Sequence, residues 1–174
     1  RPDWSAVAAD GITFAMIKCG GGDDGLYEDR KFQQNIQGAL ANGIQVGVYF
    51  YSGASNAREA YDEASYCISL IRDYQITYPV AFDWELDGDY DSVTEACETF
   101  CNVISSYGYQ PMVYSNRNRW YNNFDGEKIA SKYKVWMAAY FGKFYYDSVR
   151  WTYGDELPNF RYHYDMWQYS SRCY

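Results

Sequence analysis

The sequence predicts an α/β fold, an irregular TIM-like (β/α) barrel with reduced helices in its second half. Three features of the chain point there. Strand and helix signals alternate, which implies parallel strands joined by right-handed crossovers. Several strand candidates are near-continuous apolar runs, the mark of strands buried on both faces. The chain has 174 residues, one domain by length, whereas a full eight-fold barrel takes about 250, so helices must be trimmed. A chain of this size buries roughly 70% of its unfolded surface. An open doubly wound sheet is the competing arrangement. Gly20-Gly21-Gly22 lacks the GxGxxG spacing and precedes no immediate helix, which disfavours a dinucleotide fold.

The elements follow in order. Ile12 to Cys19 (ITFAMIKC) is a buried strand. Asp29 to Asn42 is a helix, with Phe32, Ile36, Ala39 and Leu40 at 3.6-type spacing and Gly43 as its stop. Gln45 to Ser52 is the next strand. Asn56 to Asp73 is a helix with Ala60, Ala64, Cys67, Ile68 and Ile71 on one stripe. Tyr78 to Glu85 (YPVAFDWE) is a strand. Ser92 to Tyr107 is a helix, opened by a capping box of Ser92 with Glu95 and ended by Gly108. Pro111 to Ser115 is a strand, Asn118 to Lys132 a weaker helix, Lys134 to Tyr140 a strand, and Tyr164 to Ser170 the last strand. No linker or internal repeat interrupts residues 1–174, which read as a single domain.

Composition excludes several function classes. Hydrophobic residues at 48% and charged residues at 22% are globular averages, so the chain is not disordered. A net charge of −8 repels phosphate backbones and anionic lipid, which argues against nucleic acid and against a polybasic anchor. No apolar run approaches the ~18 residues of a membrane span. Aromatic residues are the outlier at 21%, including 21 Tyr. Tyr and Trp present a flat apolar face and a polar edge, which suits sugar rings and equally suits a core with a wet rim.

The five cysteines form no CxxC pair, and the lone His163 is distant from them, so no zinc site is expected. Cys97 and Cys101 share a helix face as small hydrophobes. A bridge such as Cys67 to Cys101 stays open. Asp87, Asp89, Asp91 and Glu98 match positions 1, 3, 5 and 12 of a calcium loop, but Ser92 stands where that loop needs Gly. A polar loop leading into a capped helix is the preferred reading, so no metal and no cofactor is expected.

Asp83-Trp84-Glu85 is the strongest chemical feature. Side chains alternate on a strand, so the two carboxylates point the same way, about 6.5–7 Å apart. In a parallel barrel the C-terminal strand ends form the active face. Mutual repulsion favours keeping one of the pair protonated near neutrality. Glycoside hydrolysis needs one acid for the leaving oxygen and one carboxylate to stabilise positive charge. The alternative is a solvated pair that caps a helix or holds a cation.

The chain resembles glycoside hydrolase family 25, the Chalaropsis-type lysozymes. The resemblance lies in Asp3-Trp4, Gly11-Ile12-Thr13-Phe14 and Lys18, then Tyr27, Asp29, Phe32, Asn35, Ala39, Gly43, Gly47 and Tyr49. It continues through Pro79 to Glu85, Pro111 to Ser115, Val135 to Tyr140, and Trp167 to Ser171. It implies cleavage of the β-1,4 bond between N-acetylmuramic acid and N-acetylglucosamine in peptidoglycan, with the glycan strand as partner. It implies Glu85 as general acid and Asp83 as its partner carboxylate, with the substrate's N-acetyl group as nucleophile. Tyr114, Trp136 and Trp167 would line the saccharide groove, and Tyr49 and Lys18 would face the barrel interior or rim. A lysine ending an apolar strand needs a carboxylate partner, and an Asp of the catalytic face is the expected one. A non-catalytic wall-binding module and a chitinase-like barrel are the rival readings. A secreted or wall-associated location is expected from the substrate alone. The family's first strand and last strand, each with an Asp, have no counterpart in residues 1–174, so two open sheet edges are expected. His163 is expected to be structural.

Overall fold

The computed structural model describes residues 2–140, 144–146, 151–153 and 157–171. The elements run α1 (Trp4–Ala9), β1 (Phe14–Gly21), β2 (Tyr27–Glu28), α2 (Phe32–Ala41), β3 (Gln45–Ser52), α3 (Ala57–Ile71) and β4 (Val80–Trp84). They continue α4 (Tyr90–Ser106), β5 (Pro111–Asn116), α5 (Arg117–Asn122), α6 (Gly126–Ala130), β6 (Lys134–Ala138), β7 (Phe144–Tyr146), β8 (Trp151–Tyr153) and β9 (Met166–Gln168).

The main sheet has the order β2-β1-β3-β4-β5-β6-β9. Every pairing is parallel except β1 with β2. From β1 to β9 its parallel strands stand side by side in chain order, with β2 added outside β1. A doubly wound sheet would reverse direction at a switch point; this one winds one way, as barrel strands do. Among the described residues it is not closed, and β2 and β9 form its edges. β7 and β8 make a separate antiparallel pair.

The helix-side face holds the core. Val46, Val48 and Phe50 of β3, Val80, Phe82 and Trp84 of β4, Val113 of β5, and Val135 and Met137 of β6 are buried in one cluster with α2, α3 and α4. The stripes read from sequence are the buried ones: Phe32, Ile36 and Ala39 on α2, and Ala60, Ala64, Cys67, Ile68 and Ile71 on α3. Phe100 of α4 packs at a tilt against Phe82, 4.9 Å between ring centres. Each such side chain contributes about 1.5–3 kcal/mol by leaving water. Gly43 and Gly108, with φ of 73° and 85°, end α2 and α4 in the left-handed turn that only glycine enters cheaply.

Three local expectations change. The cap of α4 is Asp89, whose carboxylate accepts from the Ser92 amide at 3.0 Å. The Ser92–Glu95 box is therefore not the start, because an ionised acceptor one turn earlier satisfies the same orphan amides. The weak helix over 118–132 divides into α5 and α6, with Asn123 and Asp125 as the stop and the new cap. α1 and β2 were unforeseen; α1 is capped by Asp3.

Cys19, Cys67, Cys97 and Cys101 are free and buried. The sulfur of Cys67 lies 3.7 Å from that of Cys19, not beside Cys101, which approaches the Met112 carbonyl instead. Cys173 lies outside the described residues. No helix among those described is long and apolar enough to cross a membrane.

Candidate active site

In-register residues of parallel strands point to the same side of the sheet. One such row crosses the C-terminal end: Tyr51 of β3, Asp83 of β4, Tyr114 of β5, Trp136 of β6 and Met166 of β9. One step below it, Lys18 of β1 aligns with Tyr49, and Tyr49 with Ala81. Their strand neighbours Phe82, Val113 and Val135 belong to the helix-side core. This row therefore occupies the face turned away from the helices, where the interior of a barrel lies.

Asp83 is 5% exposed and its Oδ1 is buried without a hydrogen-bond partner. Burial pushes its pKa from 3.8 up to about 8. Repulsion from Glu85 adds to the rise, Lys18 opposes it, and a hydrogen bond to the Glu85 carboxyl favours the protonated form. The proton preference thus falls on Asp83. After burial, Glu85 is the neighbour that most strongly disfavours the ionised form of Asp83.

Glu85 stands one residue beyond β4, half-buried. Its backbone is clamped by Arg119 of α5, whose Nη2 donates to the Glu85 carbonyl at 2.6 Å. The same guanidinium lies 5.9 Å from the Trp84 ring and 3.7 Å from Asp87. Trp84, between the carboxylates, is buried on the opposite face; its Nε1 donates to the Ala54 carbonyl and its own carbonyl accepts from Ser115 Oγ at 2.7 Å. Asp83 and Glu85 are thereby held on rigid backbone.

The aromatic wall is contiguous. Trp136 packs edge-on against Tyr114 at 4.6 Å and Tyr49 at 6.0 Å. The phenols of Tyr49, Tyr51 and Tyr114 all have raised pKa values, through burial first and the neighbouring carboxylates second. They stay neutral and can donate to sugar hydroxyls.

Lys18 is not ion-paired in the way expected. Its ammonium sits 5.0 Å from the ring centre of Tyr51 and 5.5 Å from that of Tyr27. Burial lowers its pKa, but the Tyr27 hydrogen bond and the fields of Tyr27, Tyr49 and Asp29 outweigh this and raise it. A cation can be held by aromatic faces as well as by a carboxylate.

Trp167 is not brought to the Asp83 row. It aligns with Met137, packs against the helix-side core and donates to the Ala139 carbonyl at 2.9 Å. Strand parity excludes it, and its neighbour Gln168 takes the inner face, where it reaches Tyr140 and Tyr114. Tyr51, Gln168 and Arg119 are the residues the sequence reading missed. Alternation from Tyr49 and from Asp83 was signal enough for Tyr51; nothing in the sequence marks Arg119.

The acidic loop residues go elsewhere. Asp89 caps α4, Asp87 faces Arg119, and Glu98 pairs with Lys128 and Lys132. Among the described residues no three His, Cys, Asp or Glu side chains converge as metal ligands. His163 is exposed, 3.6 Å from Asp165.

The sequence profile described as glycosyl hydrolases family 25 matches residues 1–174. A protein named lysozyme from Streptococcus phage Cp-1 is 29% identical over 136 residues, covering 72% of this chain and 36% of its own length. The crystal structure of the CTP1L endolysin superposes with a TM-score of 0.80 at 23% identity, over 100% of this chain and 57% of that one. The modular autolysin LytC from Streptococcus pneumoniae, in complex with synthetic peptidoglycan ligand, gives a TM-score of 0.77 at 25% identity, over 98% of this chain and 39% of that one. The chain thus spans about a third to just over half of these relatives. The match runs along the whole chain: the protein belongs to glycosyl hydrolase family 25.

Proposed function

We propose that the chain is a peptidoglycan hydrolase, a lysozyme that cleaves the β-1,4 bond between N-acetylmuramic acid and N-acetylglucosamine. The single observation that carries this is the almost fully buried Asp83, with an unpartnered Oδ1, joined to Glu85 at the C-terminal end of β4. A buried carboxyl of this kind is costly to keep without a ligand. Family membership and the lysozyme name of the phage relative support the same reading, as does the LytC complex with a peptidoglycan ligand.

The pair holds one proton. Glu85, nearer to solvent, delivers it to the bridging oxygen as the C–O bond breaks. The negative charge left on the pair faces the positive anomeric carbon. Asp83 is too deeply buried to attack that carbon itself. As the family resemblance implies, the substrate's N-acetyl oxygen is the nucleophile, oriented by Asp83 through the acetamido N–H. Water then opens the cyclic intermediate and its proton returns to Glu85. Tyr49, Tyr51, Tyr114 and Trp136 supply stacking and hydroxyl donors along the sugars. The net charge of −8 gives no long-range attraction to an anionic wall, so local contacts carry binding. Action at the cell wall follows from the substrate.

The test is digestion of purified peptidoglycan, borohydride reduction and identification of the reduced sugar. Reduced muramic acid is expected. Reduced glucosamine makes the protein a glucosaminidase, and binding without new reducing ends makes it a wall-binding module. Glu85→Gln is expected to stop release with the fold intact.

A further inference from the structure

Two buried thiols outside the carboxylate site meet inside the core. Cys19 stands near the end of β1, just before Gly20 and Gly21, and Cys67 lies well inside α3. Both are fully buried, and their sulfurs are 3.7 Å apart although 48 residues separate them in the chain. The surrounding fold fixes this approach. The pairing of β1 with β3 shifts register between Lys18 and Gly20, so Cys19 is the extra residue of a bulge. A bulge re-aims a side chain, and here the Cys19 sulfur meets α3. A Cβ added at the next residue, Gly20, would stand 3.1 Å from Leu70 Cδ1, so helix and strand are in close contact at this level. One turn before Cys67 on the same face of α3, Glu63 accepts from Ser52 and from the Gly53 amide at the end of β3. The helix is thereby pressed onto two neighbouring strand ends.

The contact is selective. Cys19 Sγ donates to the Tyr49 carbonyl at 3.3 Å. With that proton engaged, the Cys67 thiol is the donor toward Cys19. Cys97 and Cys101 share one face of α4, yet among the described residues they make no such sulfur–sulfur bond, and Cys101 turns to the Met112 carbonyl. A disulfide bond is about 2.05 Å long, so closing Cys19 on Cys67 requires each sulfur to move by less than about 1 Å. A link across 48 residues also removes much of the freedom of the unfolded chain.

We propose that Cys19 and Cys67 are a disulfide site that fastens β1 to α3, oxidised by a small-molecule disulfide such as glutathione disulfide. One protein thiolate displaces a glutathione thiolate from the oxidant and forms a mixed disulfide. The second protein thiolate attacks the protein sulfur of that mixed disulfide and releases the other glutathione. The Cys19–Cys67 bond forms, the two thiol protons pass to the released glutathione thiolates, and one glutathione disulfide is reduced to two glutathione molecules. In the closed fold, the hydrogen bond to Cys19 and burial keep the Cys67 thiol protonated, and a neutral thiol is a poor nucleophile. The bond therefore forms as β1 and α3 dock during folding. Neither thiol takes part in the lysozyme reading above.

The test is refolding of the whole reduced chain from urea, once in mixed reduced and oxidised glutathione and once in reduced glutathione alone. Free thiols are then alkylated under denaturing conditions, and intact mass and a non-reducing peptide map are recorded. The oxidising arm is expected to lose two hydrogens, to join the Cys19 peptide to the Cys67 peptide, and to leave Cys97 and Cys101 alkylated. Its melting temperature should lie about 5–10 °C above that of the reduced arm, and dithiothreitol should abolish the difference. Cys67→Ala should show neither the link nor the dithiothreitol-dependent shift, while the peptide map of the unmodified chain decides the matter even if that variant does not fold. Alkylated Cys19 and Cys67 in the refolded oxidising arm overturn the proposal. So does a bond from either to Cys97, Cys101 or Cys173, and so does a linked form that melts below the reduced one, since the bond would then not fit the native fold.

Discussion

Asp83 and Glu63 are two buried carboxyl groups near the C-terminal ends of adjacent strands, 5% and 3% exposed. Burial pushes both up, Asp83 to about 8 and Glu63 to about 7. Their hydrogen bonds separate them. Glu63 of α3 accepts from Ser52 Oγ at 2.5 Å and from the Gly53 amide at 2.8 Å, and Ser52 in turn accepts from the Ala54 amide. It fastens α3 to the turn that leaves β3. Asp83 has an orphan oxygen and a second acid as its neighbour. A perturbed pKa therefore does not by itself mark a site in this protein. What marks it is a buried carboxyl whose bonds are left for something else to complete.

Substitution should pull the two apart. Asp83→Asn and Glu85→Gln are expected to lower kcat on peptidoglycan by about 10²–10⁴-fold, the usual worth of an acid–base group, with unchanged circular dichroism. Glu63→Gln should leave kcat within a few-fold. Glu63→Ala should instead lower the unfolding free energy by about 1–3 kcal/mol, because Ser52 and the Gly53 amide lose their buried partner; urea titration reads this. Equal activity loss in the Glu63 variants would erase the distinction.

The pH dependence sharpens it. Asp83 binds its proton more tightly in the fold than in the unfolded chain. Its stabilising contribution is complete below its ordinary value of 3.8 and is lost as pH rises through about 8. Glu63 behaves alike, with loss as pH rises through about 7. Melting temperature should fall between pH 5 and 9, and Asp83→Asn should flatten the upper part of that decline. Activity should fall on the alkaline side near pH 8 in the unmodified chain, as the pair gives up its shared proton.

Smaller effects belong to the surrounding wall. Trp136→Ala removes a ring packed on Tyr49 and Tyr114, and should raise KM about tenfold, within the range of one aromatic contact. Lys18→Met should act least. The Lys18 cation lowers the Asp83 pKa, so its loss should move the alkaline limb upward by less than about one pH unit. A downward move would contradict the geometry.

The helices and parallel strands were legible because burial writes its period into the chain. The stripe on α3 and the apolar run of β4 needed no tertiary information. Where several local solutions compete, the chain was ambiguous. Ser92 and Asp89 both suit a helix cap, and the choice depends on where the loop from Glu85 turns. The family resemblance points to Trp167, whereas parity against β6 assigns the inner face to Gln168. Arg119 could not be found at all, since its contact with Glu85 joins positions 34 residues apart.

The sequence by itself determined the alternation of elements, the family pattern along residues 1–174, and the spacing of two acids at the C-terminal end of β4, because period and spacing are local properties. Only the tertiary structure decided that Asp83 and not Glu63 is the unsatisfied carboxyl, that Arg119 anchors Glu85, and that Lys18 rests on tyrosine rings. Desolvation and hydrogen-bond completion depend on what remote segments bring alongside, and no window of neighbouring residues contains that information.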